Sequence, residues 1–296
     1  MKPREAHVAS LAVAPGKIQM NFKNASTLCT LGVLGLMTQA AHADDSTLKV
    51  GAGVDYTSGK YGTSTTTDIT QVPFTFGYDT GDWSFKLTVP YIRVTGPSDV
   101  IPGIGPVKNS NPHGRGNGKG DNQVVAATTP TSGNDSASGL GDVIAAATYQ
   151  VYNNEAANFG IDVTGKVKFG TADENEGLGT GKNDYTAAVD LYKGYGAWTL
   201  FGGVSYTVLG SSQYIRLNNV FGGNVGASYK LDQQSSIGAY YEYREKASDT
   251  SFSRSELTGY YSYKFATAWK AQAYVSDGFS DGSPDWGVGA SVVYSF

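Results

Sequence analysis

The sequence has little of what catalytic or disulfide-stabilised proteins usually carry. Its 296 residues include one cysteine, Cys29, and three histidines, His7, His42 and His113. No apolar run approaches the roughly 20 residues that a transmembrane helix needs, and the mean hydropathy is −0.27. A lone cysteine also excludes an internal disulfide and a thiolate metal site. These absences exclude a helical membrane bundle and a disulfide framework.

The charge balance gives no reason to expect a nucleic-acid partner. Lys and Arg number 22 against 26 Asp and Glu, a formal net charge of −4. No basic stripe of the kind that follows a phosphate backbone stands out. The sequence is instead rich in glycine and tyrosine, with 39 and 20 residues. That composition fits an all-β protein, either a secreted sandwich or a barrel, and nothing in it calls for a cofactor.

Residues 1–43 have the features of an export signal that is removed from the mature protein. Lys23 supplies the positive region, residues 28–37 the apolar region, and Ala41-His42-Ala43 a small-x-small cleavage site. Met20 is a more natural start than Met1. The cysteine and two of the histidines leave with this signal, and no stop-transfer helix follows it. The mature chain is therefore expected in the periplasm, in the outer membrane or outside the cell.

Beyond the signal, apolar and polar residues alternate in segments of about 10 residues, the length of a tilted membrane-crossing strand. In residues 286–296 every second residue, from Trp286 to Phe296, is apolar. The residues between them are small and mostly polar. Because successive side chains of a strand point to opposite faces, one face of this strand is apolar. Eleven further segments share the pattern: residues 48–56, 72–78, 83–91, 143–151, 159–169, 184–192, 198–207, 221–229, 237–244, 254–263 and 269–276.

The connections between these segments alternate between short turns and longer loops, an asymmetry that a soluble sandwich does not need. Aromatic residues such as Trp83, Trp198 and Trp269 begin strands just after short turns, as at a membrane interface. We therefore predict an all-β fold, a closed transmembrane antiparallel up-and-down β-barrel of about 12 strands. Its place is the bacterial outer membrane, among outer-membrane lipids and lipopolysaccharide. Phe296 is expected to be the terminal signal for the barrel-assembly machinery.

Two features interrupt the regular pattern within the barrel domain, residues 44–296. Pro73 lies in the middle of the second strand and predicts a bend or bulge, because proline cannot donate to the ladder. Residues 95–138 form a long irregular segment, which we predict to be an extracellular loop. Such a loop either extends outward or folds into the mouth of the barrel. Its glycine-rich run at 114–120 lacks the strand-to-helix context of a phosphate-binding loop.

The inward parity carries charges of both signs together with tyrosines. Two interpretations stay open: ion-pair ladders in a narrow wet lumen, or the charged rings of a selective pore. The tyrosines either form a stacking surface for a solute or fill a tapering lumen. The candidate lumen-lining residues are Lys49, Asp55, Lys86, Asp142, Asp162, Lys166, Lys168, Asp184, Asp190, Tyr240, Glu242, Arg244, Arg254, Glu256, Tyr260, Lys270 and Tyr274.

The mature chain offers little for catalysis. His113 is its one histidine, and it lies in the long glycine-rich segment, where a general base would not be held rigidly within hydrogen-bond reach of a partner. A metal site would need carboxylates alone, and the acidic stretch at 173–176 fits a solvated loop tip better than a cation site. No catalytic residue, metal ligand or cofactor is predicted.

Three stretches resemble a known family: residues 72–97, 138–142 and 165–185. They include Val72-Pro-Phe-Thr-Phe-Gly-Tyr78, Ser138-Gly-Leu-Gly-Asp142 and Leu178-Gly-Thr-Gly-Lys182. These are similar to proteobacterial outer-membrane transporters associated with the meta-cleavage pathway of phenol degradation. The resemblance covers most of the mature chain and implies a small barrel that passes hydrophobic or aromatic compounds. It carries over no binding residues.

The expected function is therefore an outer-membrane channel or transporter. Small solutes, including hydrophobic or aromatic compounds, would pass by diffusion through the lumen. The alternative is a structural or adhesive surface barrel that acts through residues 95–138. A barrel enzyme would have to rely on His113.

Overall fold

The computed structural model describes residues 46–112 and 136–296. The predicted signal, His113 and the glycine-rich run at 114–120 lie outside these residues. No helix in the described ranges is long and apolar enough to cross a membrane. The strands are β1 (Thr47–Gly59), β2 (Thr67–Thr80), β3 (Trp83–Thr95), β4 (Val100–Ile101), β5 (Gly105–Pro106), β6 (Ser136–Leu140), β7 (Val143–Asn154), β8 (Phe159–Phe169), β9 (Asp184–Tyr195), β10 (Trp198–Val208), β11 (Val220–Lys230), β12 (Ser235–Arg244), β13 (Arg254–Tyr263), β14 (Trp269–Gly278) and β15 (Trp286–Ser295).

Twelve of these strands, β1–β3 and β7–β15, close into a barrel. Each pairs antiparallel with the next along the chain, and β3 continues to β7. The last strand returns to the first, with Val54 opposite Ala290, so the cylinder has no free edge. The closed antiparallel barrel predicted from the alternation is confirmed, with its even strand number.

The two ends of the barrel differ. The start of β1, the end of β15 and the short turns lie at one end, where the backbone N–H of Phe296 donates to the oxygen of Leu48 at 2.9 Å. The longer loops lie at the other end. Short turns face the periplasm in outer-membrane barrels, so this is the periplasmic end. The role of Phe296 as an assembly signal stays a prediction.

The outward face is the one that meets lipid. Val204, Val225 and Val275, midway along their strands, are 65%, 62% and 61% exposed. At the periplasmic end, tryptophans pair with tyrosines of the neighbouring strand. The ring centroids are 4.8 Å apart for Trp198 and Tyr229. An apolar band bordered by aromatic rings is the pattern of an outer-membrane barrel, and it places this protein in that membrane.

The bulge predicted at Pro73 is absent. The β1–β2 pairs on either side of Pro73, Ala52–Phe74 and Asp55–Gln71, have the same register. The two residue pairs between them are missing from the ladder. Proline lacks an N–H, which accounts for the gap. The register shift lies instead in β7, between Gln150 and Tyr152.

Residues 95–138 are not one irregular loop. β3 runs to Thr95, and β6 pairs with its extracellular end, Val94 opposite Ala137. Between them, β4 and β5 pair with each other. Residues 97–107, which we call the inward segment, fold into the mouth of the barrel against inward-facing side chains.

A charge on the lipid face should prevent stable insertion. We expect Val225→Arg to destabilise the barrel by roughly 2–4 kcal/mol, because the guanidinium would lie near the middle of the bilayer. The measurement is urea unfolding in lipid vesicles. Gln234→Arg is the matched control, since it adds the same group in an exposed turn. Equal unfolding midpoints for Val225→Arg and the wild type would contradict the assigned lipid face.

Candidate functional site in the barrel lumen

Every candidate lumen residue lies on the inward parity of its strand or, for Asp142, just before it. Their part in solute passage stays a prediction. They fall into three levels. The periplasmic level holds Lys49, Lys86 and Lys270; the extracellular level holds Asp142, Lys168, Asp184, Arg244 and Arg254; between them lie Asp55, Asp162, Lys166, Asp190, Tyr240, Glu242, Glu256, Tyr260 and Tyr274.

At the periplasmic level one buried lysine is neutralised by an aspartate. The side chain of Lys49 is 2% exposed and forms an ion pair with Asp79. Ser84 donates its hydroxyl to the other oxygen of the same carboxylate at 2.6 Å. The pairing satisfies a charge that burial would otherwise penalise heavily.

At the extracellular level one lysine joins two carboxylates and, through them, two loops. Lys168 Nζ lies 2.5 Å from Asp142 Oδ2 and 3.1 Å from Asp184 Oδ2. Asp142 Oδ1 accepts the backbone N–H of Ala172 at 3.0 Å, in the loop after β8. Asp184 Oδ1 accepts that of Gly210 at 2.9 Å, in the loop after β10. These charges hold loops in place over the mouth.

Arg244 holds the inward segment. Its two terminal nitrogens, Nη1 and Nη2, donate to the backbone oxygens of Gly103 and Ile104, each at 2.7 Å. Apolar packing adds to this grip on the extracellular side. Ile101, Ile104 and Val107 form one buried cluster with side chains of the longer loops and the start of β11: Leu209, Ile215, Val220 and Ala247.

Two acidic and two basic residues face each other across β12 and β13. Glu242 lies directly opposite Glu256, and Arg244 directly opposite Arg254. Like charges opposite each other would be unfavourable alone. Arg254 relieves this within its own strand, because Nε and Nη2 donate to Glu256 Oε1 at 2.9 and 2.5 Å.

Four inward aromatic rings lie flat against the wall rather than across the lumen. Each stands directly opposite an inward glycine of the next strand and covers it. The pairs are Tyr192 with Gly160, Phe201 with Gly226, Tyr260 with Gly238 and Tyr274 with Gly289. A Cβ at any of these glycines would overlap the ring. Glycine here makes room for the ring against the wall.

A cavity of about 90 Å³ lies beneath the inward segment, and we call it the chamber. Its roof includes Ile101, Pro102 and Gly103, and its wall includes Tyr240 and Tyr274. Tyr61, in the loop after β1, closes one side from the left-handed region at φ +50°. Burial raises the pKa of Tyr61 to about 12, so the phenol stays protonated at neutral pH.

The sequence reasoning missed several of these residues. Asp79 has inward parity and was detectable by extending the alternation one residue beyond 72–78. Tyr192 already had the inward parity of residues 184–192 but was not counted among the candidates. Phe201 was detectable too, because it shares the parity of Thr199 and Ser205. The contacts of the inward segment carried no such signal.

The described part of the lumen contains no cluster of metal-ligating side chains. Across residues 46–112 and 136–296, no three histidine, cysteine, aspartate or glutamate side chains come together as a metal site.

Comparison with known proteins supports the fold and a family. A family model described as "Putative MetA-pathway of phenol degradation" matches residues 43–296. The crystal structure of an outer membrane channel from Pseudomonas putida F1 superposes with a TM-score of 0.61 at 15% identity, over 90% of this chain and 100% of that chain. At that identity the likeness shows a shared fold. Comparison with curated proteins gives no significant match.

Two further likenesses are weaker and support no argument. The β domain of the Bordetella autotransporter BrkA gives a TM-score of 0.49 at 13% identity, over 85% of this chain and 100% of that chain. The KdgM porin gives 0.47 at 13% identity, over 82% and 99%.

Loss of the Arg244 guanidinium should release the inward segment. We expect Arg244→Ala to raise the single-channel conductance in planar bilayers, because two backbone oxygens of the segment lose their donors. Arg216→Ala is the control, since Arg216 is an exposed loop arginine. An unchanged conductance in a correctly assembled Arg244→Ala barrel would show that the segment does not restrict the lumen.

A methyl group at Gly289 should narrow the lumen. It would overlap the Tyr274 ring and push it off the wall, so we expect Gly289→Ala to lower conductance. Overpacking of this kind costs about 1–3 kcal/mol. Gly259→Ala is the matched control, because a Cβ there meets nothing within 4 Å. Conductance and the urea midpoint check both effects, and identical values for the two variants would refute the assignment.

Proposed function

The chain belongs to the family of the MetA pathway of phenol degradation, and from that premise we propose that it is an outer-membrane channel for small solutes. Solutes diffuse through the lumen without an energy source. The wall of the lumen carries this proposal. The four rings lie over glycines of the wall, and ion pairs join Lys49 and Lys168 to neighbouring carboxylates.

We propose hydrophobic or aromatic compounds among the solutes, as the family description suggests. The rings of Tyr240 and Tyr274 line the chamber and offer faces for stacking. Their neighbours are charged, so an aromatic solute with a polar group suits this wall better than a bare hydrocarbon.

The alternative is an adhesive barrel that acts through residues 95–138, and the structure gives it less support. The described residues 100–107 of that stretch, apart from Gly103, are buried in the mouth and unavailable to an outside partner. We propose transport rather than catalysis, because the lumen charges at both ends bond to each other or to loop backbone. Lipid, lipopolysaccharide and the assembly machinery complete the proposed partners.

A single new thiol tests passage through the lumen. Ser276 lines the chamber, and the predicted mature chain has no cysteine of its own. We expect a bulky methanethiosulfonate reagent to block most of the ion current of Ser276→Cys and to slow the swelling of liposomes in arabinose.

The control is Gln234→Cys, in an exposed turn, which the same reagent should leave conducting. An assembled barrel without ion current or solute-driven swelling would refute the channel. An equal block of both variants would show that the current does not pass the chamber.

A further inference from the structure

Asp55 lines the chamber, and one of its two carboxylate oxygens has no hydrogen-bond donor within the described part of the chain. Its side chain is 6% exposed, and Tyr274 donates its hydroxyl to Asp55 Oδ1 at 2.9 Å. Among the described residues, none hydrogen-bonds the second oxygen, Oδ2, although it is fully buried. A buried carboxylate oxygen without a donor is costly, and a ligand that donates to it would remove that cost.

The chamber around this oxygen is negative. Asp55, Glu242 and Glu256 line it, whereas Arg254 is the one basic residue among its described lining. Arg254 directs two nitrogens to Glu256. Arg244, just above, directs its terminal nitrogens to the roof. Among the described residues that line the chamber, three carboxylates accompany one guanidinium, so a cation is favoured over an anion.

The size and surface of the chamber limit the cation. The chamber's 90 Å³ is several times the roughly 10–15 Å³ that a cavity needs to hold one water. That space admits an ammonium group with a short carbon chain. Tyr240 and Tyr274 add aromatic rings, which attract an ammonium through their faces.

We propose that the chamber is a binding subsite for the ammonium group of a small organic cation, with Asp55 as its counter-ion. The ammonium pairs with the Asp55 carboxylate from the chamber, while Tyr274 keeps its hydrogen bond to Oδ1. The subsite proposal rests on the proposed function, since the ligand is taken to be a solute in transit. It identifies small organic cations as a class of solute that the lumen favours.

Three ligands of nearly equal size test the subsite: propylammonium, 1-propanol and propionate. Ligand-observed NMR titrations of the purified full-length mature barrel in a non-ionic detergent measure their binding without any need for conduction. We expect propylammonium to bind at least tenfold more tightly than the other two. Equal affinities of propylammonium and propanol for the wild type would overturn the proposal without any variant.

Asp55→Asn tests the counter-ion, because the amide oxygen still accepts from Tyr274 while an NH₂ group replaces Oδ2. Propylammonium affinity should fall at least tenfold, and propanol affinity should change little. Glu155→Gln, an equal loss of charge at an exposed periplasmic turn, is the control. Undiminished propylammonium binding by an assembled Asp55→Asn barrel refutes the assignment.

The subsite and the channel fail in different ways. A barrel that conducts but binds propylammonium no better than propanol overturns the subsite and keeps the channel. A barrel that binds propylammonium through Asp55 but never conducts overturns the channel and keeps the subsite.

Discussion

Backbone hydrogen bonding in lipid is the constraint on which the structure depends. The hydrocarbon region offers no water to unpaired N–H and C=O groups, so a sheet that crosses it must close on itself. Here β1 pairs with both β2 and β15, and Phe296 bonds to Leu48 at the seam. Closure then assigns every side chain to lipid or to lumen, and this is why the alternation along each strand is so regular.

The same closure leaves the interior to be organised without a conventional core. Charged side chains settle by pairing across strands, as Lys49 does with Asp79, or by binding loop backbone, as Asp142 does with Ala172. Aromatic side chains settle by lying over glycines. Apolar packing is displaced to the extracellular mouth, where Ile101 and Ile104 join a buried cluster of loop residues. The wall of the lumen is therefore mostly polar, and the apolar packing lies at the extracellular end.

Alternation made the strands, their inward faces and the closure predictable, because a period of two is written directly in the sequence. It could not give the partners of inward side chains. Parity places Arg244 in the lumen but does not show that its partners are the backbone oxygens of Gly103 and Ile104, more than a hundred residues away. The inward segment has no periodicity, and its place depends on contacts with two other loops and with Arg244. The glycines that make room for rings could have been predicted, since Gly226 and Phe201 both lie on the inward faces of neighbouring strands.

The position of the inward segment and the charge of the chamber beneath it are coupled through Arg244. This buried cation is held by neutral carbonyl dipoles of Gly103 and Ile104 instead of a carboxylate. The carboxylates below it, Glu242 and Glu256, lie close enough to attract the same guanidinium. Arg244 therefore fixes the roof by hydrogen bonds while its charge acts on the wall beneath, so one side chain contributes both to the position of the inward segment and to the charge of the chamber.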